Sequence, residues 1–350
     1  MKPFQFLFLF LGMITSQLFA QVDSSSTLVV AENQEAELAY NKGIENFKNK
    51  NFEAAIENFN EALRFNPRFA SAWFNKANVN MELKKYADAI TDFTSAVEIN
   101  PDLGTAFYGR GNAKRITKDP EGAYQDYEKA LEVGYKNTKV YYYMGVIKFQ
   151  DAKYKEAEDL YTQSIEADDA YSYAWNDRGS CKRMQDNLTG AIEDYSKAIE
   201  LKPKMALLYN NRGSAKRKNA DYDGAIADYT QAIELNEKYH IAYNNRGSAK
   251  FNKNDFKGAI EDYEKALSLK PQYSFAYNNI GIAKIKLQDY KGALEAFNKA
   301  IENNDNYSYA YFNRGGVKEM LRDFEGACAD WKKAFDLGLK SAESNLDNCK

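Results

Sequence analysis

From residue 36 to residue 341 apolar and polar positions follow a helical spacing, and the whole pattern returns every 34 residues. Gly43, Ala77, Gly111, Gly145, Gly179, Gly213, Gly247, Gly281 and Gly315 mark its phase. Counted from Ala36, position 20 is alanine in all nine repeats, from Ala55 to Ala327, and position 24 is always aromatic, from Phe59 to Trp331. Position 4 is aromatic in eight repeats, with Ala39 in the first, and position 27 is alanine except at Ser164. A period of this length, with small and aromatic residues in fixed phase, predicts stacked helix-turn-helix units. Small residues at positions 8 and 20 let the two helices of a unit approach, and the rings at 4 and 24 fill the space between units. One hairpin cannot bury its own apolar face, so neighbours must stack into a solenoid. Asp119 and Pro120 are placed to start a helix, and Ala342, Leu346 and Cys349 have the spacing of one short helix, residues 342–350, that caps the end.

Proline closes four units, at Pro67, Pro101, Pro203 and Pro271. Together with the fixed small and aromatic positions, these make residues 36–341 resemble nine tandem units of the tetratricopeptide repeat family. The resemblance implies an all-α, right-handed superhelical solenoid with a C-terminal capping helix, acting as a non-enzymatic protein-interaction scaffold. It also implies that positions 2, 5, 6, 9 and 12 of each first helix look towards a concave groove.

Position 7, commonly a large apolar residue in that family, is Arg110, Arg178, Arg212, Arg246 and Arg314 here, with Lys76 in the second unit. The same units carry aspartate at position 23: Asp126, Asp194, Asp228, Asp262, Asp330 and Asp92. Met144 goes with Leu160 and Ile280 with Ala296, so both charges disappear together. This predicts structural ion pairs between the helices of a unit, made by position 7 rather than by the lysine at position 11.

Position 6 holds Asn41, Asn75, Asn211, Asn245, Asn279 and Asn313, with Asp177 in the fifth unit and breaks at Gly109 and Tyr143; no complementary residue accompanies it within the unit. The series is similar to the asparagine ladder of protein O-GlcNAc transferases, which implies contacts to the backbone of an extended peptide. An amide is both donor and acceptor, as main-chain recognition requires. Position 5 is Tyr40, Phe74, Tyr108 and Tyr142, then Asn176, Asn210, Asn244 and Asn278, and position 12 adds Arg115, Arg183 and Arg217. The position-5 rings either line the groove or stack between units. The lysine and arginine clamp of co-chaperone members is missing, since no unit has lysine at position 5 or arginine at position 6.

The start of the chain breaks the pattern. Lys2, an apolar run from Phe4 to Ile14 and then polar and small residues ending at Phe19-Ala20-Gln21 have the order of a secretory signal peptide. The run is too short to span a bilayer. Removal of residues 1–20 after Ala20 is expected, leaving residues 21–35 as a flexible lead-in and a periplasmic or secreted protein with no transmembrane segment. A net charge of −3 over 350 residues gives no basic footprint for nucleic acid. Three cysteines and one histidine are too scattered for a metal site or a cysteine–histidine pair, and no glycine-rich phosphate loop is present, so neither a cofactor nor an active site is expected. Cys328 and Cys349 are either a disulfide that pins the cap or two small core residues. The expected function is a cell-envelope scaffold that binds an extended peptide or partner segment; a binder of peptidoglycan or oligosaccharide, or a structural spacer, are the alternatives.

Overall fold

The computed structural model describes residues 34–349. The expected signal peptide and nearly all of the expected lead-in therefore lie outside the described residues. Two compact units are present, one ending at Lys136 and the other beginning at Asn137. The first holds α1 (Gln34–Lys48), α2 (Phe52–Phe65), α3 (Ala70–Glu82), α4 (Tyr86–Ile99), α5 (Gly104–Ile116) and α6 (Pro120–Glu132). The second holds α7 (Thr138–Gln150), α8 (Tyr154–Ala167), α9 (Ser172–Met184), α10 (Leu188–Leu201), α11 (Ala206–Lys218), α12 (Tyr222–Leu235), α13 (His240–Asn252), α14 (Phe256–Leu269), α15 (Ser274–Lys286), α16 (Tyr290–Asn303), α17 (Ser308–Met320), α18 (Phe324–Asp336) and the short α19 (Glu343–Leu346). Each unit is an all-α solenoid of stacked helical hairpins. Among the described residues no helix is long and apolar enough to cross a membrane.

Odd- and even-numbered helices pair as hairpins, and within each unit the second helix of one hairpin packs on the first helix of the next. Successive first helices also touch, whereas no comparable contact joins successive second helices. Each stack is therefore closer on its first-helix side, which makes that side concave. Position 8 must be small because the position-24 ring lies over it: a Cβ on Gly213 would sit 2.9 Å from the Tyr229 ring.

The hairpin turns follow one plan. Position 15 is left-handed in all nine turns, with φ from 58° at Ala220 to 68° at Arg322, and never glycine. Asp119, Asn187, Asp221, Asp255, Asp289 and Asp323 then cap the second helix by accepting the N–H of the glycine three residues on, at 2.9–3.1 Å. Where position 16 is Asn51, Lys85 or Lys153, the later residue is Ala54, Asp88 or Glu156 and no side-chain cap forms. The glycine is required because the capping side chain occupies the space of a Cβ.

At the C-terminus, 3₁₀ turns at Lys340–Ala342 and Asp347–Cys349 flank α19 where a single helix was expected. Local side-chain bonding competes with the helix there: the Ser344 hydroxyl donates to the Ser341 carbonyl at 3.3 Å. Ala342 is buried, and Cys349 is bonded to Cys328 of α18 with a Cα separation of 5.7 Å.

Candidate functional site

The charged positions assemble first, and they hold the scaffold. Arg246 donates from Nε to Asp262 Oδ2 at 2.9 Å and from Nη2 to Oδ1 at 2.7 Å, a two-pronged pair on a buried aspartate. Arg110–Asp126, Arg178–Asp194, Arg212–Asp228 and Arg314–Asp330 repeat it, and Lys76 Nζ meets Asp92 at 2.9 Å. The pairing is not confined to position 7. Lys114, Lys182, Lys216, Lys250 and Lys318, at position 11, each meet the same carboxylate at 2.9 Å, and in the second unit Asn80 donates to Asp92 at 2.8 Å. A carboxylate has about four acceptor sites, the fork uses two, and the lysine one turn on reaches a third. Where the aspartate is lost, Lys148 turns to Glu156 and Lys284 to Asp289. The remaining guanidinium nitrogen crosses to the preceding repeat: Arg178 donates to Thr162, Arg212 to Ser196 and Arg246 to Thr230, at 3.0–3.2 Å. Each arginine also lies over its position-4 ring, 4.7 Å from the Trp175 centroid for Arg178.

The ladder has partners that a search within one unit could not find. Asn211 Nδ2 donates to Asn176 Oδ1, Asn245 to Asn210, Asn279 to Asn244 and Asn313 to Asn278, at 2.9–3.0 Å. Position 6 of one repeat thus bonds position 5 of the repeat before. Asn75 does the same to the Tyr40 hydroxyl at 2.9 Å. At Asp177 the direction reverses, with the Tyr142 hydroxyl donating at 2.8 Å and Asn176 Nδ2 at 2.7 Å; Asn41, in the first repeat, is exposed.

Position 5 does not line the groove as expected. Asn176, Asn210, Asn244 and Asn278 are buried, because each is covered by the following repeat and used by its amide. The aromatic members stack on the position-24 ring of their own repeat rather than between units: Phe74 lies 5.9 Å from Phe93, Tyr108 6.1 Å from Tyr127, and Tyr142 5.6 Å from Tyr161. From Asn211 to Asn313 position 6 therefore remains partly exposed on the first helices, with one amide N–H and its oxygen not used by the ladder, whereas Asn75 is buried and also donates to the Ser71 carbonyl.

Beneath it lies a polar floor. Tyr229 donates to the Ser214 hydroxyl at 3.2 Å and Tyr263 to Ser248 at 3.3 Å, while Tyr195 and Ser180 are 3.0 Å apart. The serines pass the chain on to the carbonyls of Asn176, Asn210 and Asn244. Burial raises the phenols of Tyr195 and Tyr229, and Arg183 and Arg217 beside them hold the rise back. The sequence signal was available: a polar residue stands at position 9 in four of the five repeats with tyrosine at 24, Val146 with Tyr161 being the exception. A 170 Å³ recess opens on this floor, bordered by Arg217, Ser248, Phe251, Asn252, Tyr263, Asn279 and Ile282.

Family models described as Tetratricopeptide repeat match residues 40–104, 240–273 and 274–307, and one described as TPR repeat matches 183–219 and 213–254. Among solved structures, the APC/C hetero-tetramer Cut9-Hcn1 gives a TM-score of 0.56 at 16% identity, over 89% of this chain and 76% of that one. A tetratricopeptide repeat protein from Parabacteroides merdae ATCC 43184 gives 0.51 at 20% identity, over 72% and 99%. Pseudomonas aeruginosa pilF gives 0.51 at 16%, over 59% and 97%. These likenesses are of fold. No curated protein matches the chain in sequence.

Proposed function

Because the chain belongs to the tetratricopeptide repeat family, we propose that it is an interaction scaffold whose first-helix face, in the second unit, holds an extended segment of a partner protein. The observation that carries this reading is the row of position-6 amides from Asn211 to Asn313. The inter-repeat bonds fix their orientation, and each keeps a donor and an acceptor for a ligand backbone. Fixed amides at one spacing suit main-chain recognition, in which side chains of the ligand add selectivity. We place the protein outside the cytoplasm, in the periplasm or secreted; the leader pattern of residues 1–20 and the Cys328–Cys349 bond both support an oxidising compartment.

Bulk placed on the recess tests the reading. Asn252→Trp with Ile282→Trp should abolish capture of partner proteins from an envelope extract, while Glu264→Trp on the second helix α14 should leave it intact. Equal capture by both variants would remove the groove from the account.

A further inference from the structure

Two guanidiniums on this face have no counter-ion. Each position-7 arginine is forked to an aspartate, but no ion pair among the described residues includes Arg183 or Arg217, and the Nε of each is buried without a hydrogen-bond partner. Nearby Asp177 is held by Tyr142 and Asn176. The floor also orients the two cations. Because Tyr229 gives its proton to Ser214, and Ser214 gives its own to the Asn210 carbonyl, the phenol presents only lone pairs to Arg217. Arg183 meets Tyr195 in the same way. Each guanidinium is thus positioned by its tyrosine on one side, while its Nε has no hydrogen-bond partner among the described residues.

We infer that Arg183 and Arg217 seat carboxylates, and that the segment held in the groove is acidic, carrying aspartate or glutamate in register with the α9 and α11 repeats. The inference rests on the groove reading above and specifies its ligand. The arginine–aspartate forks at position 7 show the geometry such a pair takes in this scaffold. Beside Arg217 the recess offers Phe251 and Ile282 for the methylenes of an acidic side chain, with Ser248 and Asn279 at the polar end. With the chain at a net charge of −3, the attraction is local to these two residues.

Selection of random twelve-residue peptides on the full chain tests this. The enriched peptides should carry an excess of aspartate and glutamate. A synthetic acidic member should bind about tenfold more tightly per carboxylate than its asparagine and glutamine twin in fluorescence anisotropy. Arg183→Gln with Arg217→Gln should erase that difference with the circular dichroism unchanged, and Arg183→Lys with Arg217→Lys should restore part of it. Enrichment without acidic residues, equal binding of the twins, or preference only for phosphoserine peptides would overturn the inference and leave the groove reading standing. Failure to enrich any peptide would overturn the groove reading and the inference with it.

Discussion

The position-7 arginine shows what one residue can reveal. Its paired loss with the position-23 aspartate, 16 residues on, exposed the contact in the sequence because opposite charges carry a recognisable signature. The lysine of the same cluster escaped, since it persists where the aspartate does not. Asp262 thus faces two cations, and Asp262→Ala should destabilise the protein by roughly 2–4 kcal/mol in urea unfolding. A double-mutant cycle with Arg246→Met should show coupling, and simple additivity would contradict the pair. Position 15 carried no such signature, because six residue types at the nine positions from Lys50 to Arg322 all adopt the left-handed turn. There Ala220→Gly should gain up to about 1 kcal/mol, as relief of the Cβ strain outweighs the added freedom of the unfolded chain. Asp177 gives a pH effect. Burial raises its folded pKa above the ordinary value of 3.8, so the folded state favours the neutral acid, and stability is lost as pH rises through the raised value. Asp177→Asn should therefore be more stable than the parent at neutral pH, with the gap closing below the ordinary carboxylate range; a gap that widens in acid would refute this.

Single helices were legible, but their partners across repeats were not. Small and aromatic periodicity gave the hairpins, and Asp119 with Pro120 gave the start of α6. The bond from position 6 to position 5 joins residues 35 apart in adjacent repeats, and an amide bonded to an amide leaves no charge pattern to follow. Helix ends are also written locally: α6 and α18 both stop one residue short of most second helices and are followed by Gly134 and Gly338 at φ of 89° and 90°. The last helix needs its cap. The disulfide closes a loop of 21 residues, so Cys349→Ser should lower the stability of this end by about 3 kcal/mol. Hydrogen exchange should quicken in the last turn of α18 and stay unchanged in α9–α14, because repeats couple to their neighbours; uniform quickening would count against a local cap.

At the scale of the whole molecule, the regularity that makes the scaffold also makes the site. Four hairpins in the second unit present an asparagine at position 6 in one register, so under the proposed function affinity accumulates over several weak contacts, and any single substitution has a small effect unless it also breaks an inter-repeat bond. This separates Asn279→Ala, which strands the buried Asn244 oxygen, from changes at the rim such as Asn252. The most direct test is a photo-crosslinking amino acid placed in turn at Asn252 on the first helix α13 and at Glu264 on the second helix α14, in the native setting. The account predicts that one partner segment is trapped from Asn252 and none from Glu264, and trapping from Glu264 alone would contradict it.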